Sequence, residues 1–246
     1  MVRARLDRVL VEKGLVATRS RARDLIARGL VSVGGVIATK AGQEIGQEAD
    51  IAVAPGANVY VSRGAAKLGA AMAHFGFDVG DRIALDIGAS TGGFTQVLLE
   101  GGARRVYAID VGRDQLHPLL RENERVISME GTDARALTRE IIPDALDAIV
   151  ADVSFISLIK VLAVPFALAA PQAWLVALIK PQFEAGRAAI AKGGIVRDEA
   201  DRQRAVETVT TWVANQPGWS VAGVIDSPIL GGSGNQEFLI GARKDG

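Results

Sequence analysis

The sequence contains no cysteine, which excludes a disulfide framework, a thiolate metal centre and a cysteine nucleophile together. Histidine is almost as scarce: His74 and His117 stand in helix-like segments with no carboxylate or second histidine at ligand spacing, so no metal site is expected. Long hydrophobic runs are missing too. The longest, Val161 to Pro171, contains Pro165 and falls short of the roughly 18 to 20 residues a membrane span requires, so it reads as a buried helix. The N-terminal Met-Val-Arg-Ala-Arg-Leu-Asp lacks the apolar core of a secretory signal, so a cytoplasmic location is expected, with no membrane partner. Net charge is also absent, since Lys plus Arg (28) equals Asp plus Glu (28), and whole-chain charge predicts no partner.

That zero conceals an asymmetry. Residues 1 to 30 hold eight Lys or Arg against three Asp or Glu, so this block is +5 and the remainder must be −5. One module suited to a polyanion, joined to one that is not, is the organisation this implies. A chain of 246 residues accommodates one α/β domain of roughly 150 to 200 residues plus such a module.

In the first sixty residues, Leu6, Val9 and Leu10 fall at helical spacing, as do Ala22, Leu25 and Ile26 in a second segment running from near Thr18 to Gly29. Val31-Ser32-Val33, Gly34-Gly35 and Val36-Ile37 predict a hairpin, because two glycines supply the positive φ angles of a tight turn. Around the second helix, Arg19 and Arg23 project on one side of the apolar stripe and Arg21 and Arg28 on the other. With Arg5 and Arg8 from the same basic block, these are the candidate RNA-binding residues. Tyr60 is the module's one aromatic residue, so binding through phosphate charge and helix shape is expected rather than base stacking. Pro55-Gly56-Ala57-Asn58 marks a boundary, giving a small α+β domain over 1–57, a linker over 58–63 and a large domain over 64–246.

From about residue 80, apolar runs alternate with helical segments: Arg82 to Ile87, Arg105 to Asp110, Arg125 to Met129, Ala148 to Ala151 and Ala173 to Ile179 read as buried parallel strands. Ser220 to Ile225 and Glu237 to Ala242 read as an antiparallel edge pair. The pattern is that of a doubly wound α/β sheet, whose ligands bind outside the carboxyl ends of the strands.

At the end of the first such strand stands Asp86-Ile87-Gly88-Ala89-Ser90-Thr91-Gly92-Gly93-Phe94, a glycine-rich loop opening a helix where backbone must approach a ligand closely. Its spacing is neither Gly-x-Gly-x-x-Gly nor that of a P-loop, so phosphate is not its expected ligand. Asp86 stands before the loop, Asp110 at the end of the second strand and Asp133 after the third. Three carboxylates would repel a pyrophosphate but suit a cationic sulfonium carrying an ammonium group, which is S-adenosylmethionine. Asp110 is the candidate ribose partner.

Lys180 and Asp152 each follow an apolar strand, and together they could hold a ribose hydroxyl and help remove its proton. A lysine accepts a proton only where burial or a second cation disfavours its charged form, and Lys67 is the candidate for that cation. The plainer alternative makes Lys180 a solvated strand-exit lysine and Asp152 a helix cap before Ser154.

Several motifs together resemble one family across essentially the whole chain. Arg5-Leu6-Asp7, Thr18-Arg19-Ser20-Arg21-Ala22 and Val31-Ser32-Val33-Gly34-Gly35 are similar to the RNA-binding domain first seen in ribosomal protein S-four. Val61 to Leu68, Asp86 to Thr95, Lys180-Pro181-Gln182-Phe183-Glu184, Lys192 to Asp198 and Gly234 to Leu239 resemble the TlyA-type methyltransferases, also called haemolysin A-like. The resemblance implies a Rossmann-like S-adenosylmethionine-dependent methyltransferase sheet and an FtsJ-like tetrad at Lys67, Asp152, Lys180 and Glu237, of which Glu237 comes from resemblance alone. Gly88, Ala89, Ser90, Gly92, Gly93 and Phe94, with Asp86, Asp110 and Asp133, are then the donor-binding residues. It further implies 2′-O-methylation of cytidine in 16S ribosomal RNA, with ribosomal RNA or subunits as partners and with both 23S ribosomal RNA as a second substrate and the oligomeric state left open. Three rivals stand beside this: a ribosome assembly factor that binds the cofactor without turnover, a dinucleotide oxidoreductase, whose phosphate fingerprint is missing, and a haemolysin, for which no span or long basic amphipathic helix exists.

Overall fold

Two hydrophobic cores form separately in the computed structural model, which describes residues 3–16, 19–46, 48–54 and 60–246, without the side chains of Ser20, Arg21 and Asp24. The chain divides into units Met1–Arg63 and Gly64–Gly246.

In the first unit, β1 (Arg3–Arg5), α1 (Leu6–Glu12) and α2 (Arg19–Ala27) precede β2 (Val31–Val33), β3 (Val36–Ile37), β4 (Glu44–Gly46) and β5 (Ile51–Val53). The helical stripe is the core: Leu6, Val9, Leu10, Ala22, Leu25 and Ile26 are all buried. The hairpin pairs Val33 with Val36 across Gly34 (φ 57°) and Gly35 (φ 79°). β5 joins the other side of β2, and β1 pairs with β4; the sequence carried no signal for these three short strands. Thr18 and the boundary Pro55 to Asn58 lie outside the described residues.

The second unit opens with α3 (Gly64–Phe75) and continues through β6 (Ile83–Ile87), α4 (Gly93–Glu100), β7 (Arg105–Asp110), α5 (Pro118–Arg121), β8 (Val126–Glu130), β9 (Leu146–Ala151) and α6 (Leu158–Leu168). It closes with β10 (Ala169–Ile179), α7 (Pro181–Glu184), α8 (Glu199–Ala214), β11 (Trp219–Asp226) and β12 (Phe238–Lys244). These strands form one seven-stranded sheet in the order β11-β12-β10-β9-β6-β7-β8.

β10, β9, β6, β7 and β8 are mutually parallel. The expected antiparallel pair at the end of the chain is present, but β12 is inserted between β11 and β10, and only β11 is an edge. Leu239 and Ile240, on opposite faces of β12, are both fully buried, which suits an interior strand rather than an edge. From β6 the chain builds outward through β7 and β8, then returns to β9 and β10 on the other side. The switch point therefore lies between β6 and β9, and a crevice opens at their carboxyl ends. Because β12 is reversed, its first residue pairs with Ile179 at the end of β10. Glu237, just before it, thus reaches the same rim as Asp152 and Lys180.

Candidate active site

A cleft of about 520 Å³ occupies the switch point, lined among others by Gly88, Ser90, Asp110, Gln115, Asp133, Asp152 and Phe155. Gly88 (φ 81°) makes it possible, because a Cβ there would lie 2.7 Å from the backbone carbonyl oxygen of Asp152. The loop is then tied to the next strand, with the N–H groups of Gly88 and Ala89 both donating to the Ile109 carbonyl. Asp110 accepts from Ser90 N (2.8 Å) through one oxygen and from Gly112 N (2.7 Å) through the other. Glu130 accepts from the backbone of Gln115 and Leu116, and those N–H groups hold its carboxyl below the usual range.

The predicted donor-binding residues divide. Gly88, Ser90, Asp110 and Asp133 line the cleft. Ala89, Gly92, Gly93 and Phe94 are buried and shape the turn from behind. Asp86 is beneath the loop, fully buried, with Oδ2 accepting from the Thr95 hydroxyl at 2.6 Å and Oδ1 without a hydrogen-bond partner. Burial, with Asp152 and Asp110 nearby, pushes its carboxyl up to about 7, so it is not a fixed charge facing the cleft. Asp133 is chelated by Arg135, which holds its carboxyl low. The cleft's acidity therefore comes from Asp110, Asp133 and Asp152, a donor set that still fits a cation, with Arg135 beside Asp133 and Lys180 beside Asp152 as partial counterweights.

At the rim the tetrad resolves into two ion pairs. Lys180 Nζ lies 2.6 Å from Asp152 Oδ1 and donates to Ser154 Oγ at 2.9 Å. Lys67, from the first turn of α3, lies 2.6 Å from Glu237 Oε2. Lys67, Lys180 and Glu237 are each at most 9% exposed, a degree of burial charged groups reach only when paired. Lys180 is thus no solvated strand-exit lysine, and α6 begins at Leu158 with Ser157 as its cap, so Asp152 caps no helix. The expectation for Lys67 is a cation acting on Lys180. Here its charge is matched by Glu237 instead.

Further residues shape the rim, of which Glu184 and Asn235 lie within motifs that carry the family resemblance, while Ser154 and Phe155 do not. Ser154 shares the Lys180 ammonium with Asp152. Phe155 is 91% exposed, left-handed (φ 65°), and 5.2 Å from the ring of Phe183. Glu184 accepts from Ser157 Oγ (2.6 Å) and Leu158 N (2.8 Å), tying the segment after Lys180 to the start of α6; burial pushes its carboxyl up. Asn235, 2% exposed, bonds Val196 N and the Gly194 carbonyl, fastening the Lys192 to Asp198 segment to the loop before Glu237. Nothing in Asp152-Val153-Ser154-Phe155-Ile156 singles out Phe155, because its exposure is set by the fold.

In the first unit, Arg5, Arg19 and Arg23 converge on Asp7, which is fully buried. Arg8 pairs with Glu12 at 2.6 Å, Arg28 is exposed just beyond α2, and the side chain of Arg21 lies outside those described.

A sheet of this order, offering acid at its switch point where a dinucleotide fold would offer amides to phosphate, defines the class: a Rossmann-like methyltransferase. The family described as FtsJ-like methyltransferase matches residues 60–244, and the S4 domain matches residues 4–51. The chain belongs to the FtsJ-like methyltransferases, and its methyl donor is S-adenosylmethionine. It is 43% identical over 98% of its length to the 16S/23S rRNA (cytidine-2′-O)-methyltransferase TlyA of Mycobacterium tuberculosis, covering 90% of that protein. It is 41% identical over 96% of its length to Hemolysin A of Brachyspira hyodysenteriae, covering 98% of it. Among solved structures, a Streptococcus thermophilus chain provisionally described as a hemolysin superposes with a TM-score of 0.77 at 41% identity, over 100% of this chain and 90% of that one. Among the described residues, no helix is long and apolar enough to cross a membrane.

Proposed function

We propose that this chain transfers a methyl group from S-adenosylmethionine to the 2′-hydroxyl of a cytidine in 16S ribosomal RNA, with 23S ribosomal RNA as a second substrate. The observation that carries the reading is the Lys180 ammonium, buried at the cleft rim and held between Asp152 and Ser154. When bound, the donor supplies an electrophilic methyl group on a sulfonium. Asp110, Asp133 and Asp152 give that cation a favourable lining, while Gly88 and Ser90 let it approach the backbone.

Lys180 and Asp152 bracket the position at which an acceptor hydroxyl docks. The ammonium stabilises the oxygen as it loses its proton to the Asp152 carboxylate, while the oxygen takes the methyl group and leaves the donor's sulfur as a neutral thioether. The Lys67–Glu237 pair, at the same rim, orients the sugar. Residues 1–57 act as the RNA-binding domain, with Arg5, Arg8, Arg19, Arg21, Arg23 and Arg28 contacting phosphate, 58–63 link, and 64–246 carry catalysis. Ribosomal RNA or subunits are the partners, and the work is cytoplasmic.

Labelled donor incubated with small and large ribosomal subunits, followed by mapping of ribose methylation, tests this. Lys180→Ala is expected to lower transfer at least about 100-fold while calorimetric binding of the demethylated donor stays within a few-fold. Full transfer by Lys180→Ala would remove the mechanism, and donor binding without any modified nucleotide would favour a non-catalytic assembly role.

A further inference from the structure

The two helices of the first unit meet at one carboxylate. Asp7, in the first turn of α1, is 0% exposed. Arg5 donates to both of its oxygens, Nε to Oδ1 and Nη2 to Oδ2, each at 3.1 Å. Arg19 Nη2 and Arg23 Nε, one turn apart on α2, both donate to Oδ2 at 3.1 Å. These four side chains sum to +2, and the cations face outward: Arg5, Arg19 and Arg23 are 49%, 50% and 56% exposed. Arg5 is further confined by the turn at Gly42, where a Cβ would lie 3.3 Å from its Nη1.

Three guanidiniums around one carboxyl group repel each other, and arginine side chains left in solvent sample many rotamers. A shared buried anion removes both obstacles. Each guanidinium has five N–H donors in a fixed fork, and Asp7 takes two from Arg5 and one each from Arg19 and Arg23. Outward-facing forks match the oxygens of a phosphodiester, which accept paired N–H groups. The surrounding block of +5 and the absence of Phe and Trp from residues 1–63 select the sugar-phosphate backbone over splayed bases.

We infer that Asp7 is a positioning residue that gathers Arg5, Arg19 and Arg23 into one preorganised face for the RNA backbone, so that removing its negative charge weakens RNA binding. This rests on the reading that the first unit binds ribosomal RNA. Counting charge alone gives the opposite sign, because Asp7→Asn makes the surface more positive.

The test is binding of the full chain to purified small ribosomal subunits across a salt series. Asp7→Asn is expected to weaken binding about tenfold at physiological salt and to reduce the salt slope by about 1. Added to the Arg5→Ala, Arg19→Ala, Arg23→Ala triple variant, Asp7→Asn should change nothing further, since it acts through those arginines. Equal or tighter binding by Asp7→Asn, with the triple variant weakened, overturns the role of Asp7 and leaves the RNA-binding reading intact. A triple variant with wild-type affinity and slope sinks both. Should circular dichroism show that Asp7→Asn unfolds the first unit, Arg5→Lys, Arg19→Lys, Arg23→Lys decides. It keeps the charge and loses the forks, so weaker binding supports the inference and wild-type binding overturns it.

Discussion

Asp86 shows how burial redefines a residue that looks like a surface acid. A carboxylate after an apolar strand reads as cleft-facing, because the end of a strand in a doubly wound sheet is where ligands meet the fold. The glycine loop instead covers it, with Thr95 as its hydrogen-bond partner and Oδ1 left without one. Its folded pKa of about 7 lies above the unfolded value of about 3.9. Between those two values the folded chain keeps a proton that the unfolded chain has released, so stability falls as pH rises through that window. Asp86→Asn has no charge to bury. Its stability relative to wild type should therefore climb between pH 4 and pH 8, by up to about 4 kcal/mol. Urea unfolding followed by tryptophan fluorescence measures this, since all three tryptophans lie in the second unit; a difference that does not vary with pH refutes it.

At the scale of elements, the parts fixed by local chemistry were legible and the parts fixed by distant partners were not. The Gly34-Gly35 hairpin, the apolar stripes of α1 and α2 and the five parallel strands each announce themselves within a few residues. So do Lys180 and Asp152, through their position after strands. The insertion of β12 beside β10 leaves no local trace, because strand order is decided by which faces are covered rather than by periodicity. The pairing of Lys67 with Glu237, 170 positions away, is equally silent. The glycine loop shows the boundary between the two kinds of information: its composition was readable, but the need for Gly88 comes from the Asp152 carbonyl across the switch point. Gly88→Ala should therefore cost about 2 to 4 kcal/mol, combining a left-handed backbone with a clash against main chain that cannot swing aside. Donor affinity should fall at least about tenfold with it. Gly186→Ala is the control: φ is 77° there too, but open space surrounds the missing Cβ, so backbone strain alone, about 1 to 3 kcal/mol, and unchanged donor affinity in calorimetry are expected. Equal effects of the two substitutions on donor affinity would show that the loop's approach to β9 is not what shapes the cleft.

On the scale of the whole molecule, two units carry separate cores, and the separation has a signature in acid. Asp7 in the first unit is held well below the usual carboxylate range, first by the Arg5 hydrogen bonds and then by Arg23 and Arg19 against the cost of burial. A depressed folded pKa contributes stability that is present above the unfolded value near 4 and is lost as pH falls below it. Breaking the cluster with Asp7→Asn should therefore destabilise the first unit near neutrality by on the order of 2 kcal/mol, with the deficit shrinking as wild type is acidified below pH 4. The second unit carries its own core, so its response to Asp7→Asn should be nil. The uneven placement of tryptophan separates the two. Far-UV circular dichroism sees both units and tryptophan fluorescence only the second. Comparing their denaturation midpoints for wild type and Asp7→Asn at pH 7 and pH 3 should show a loss confined to the dichroism signal and smaller at the lower pH. A fluorescence midpoint that moves with it would mean that the two cores unfold as one.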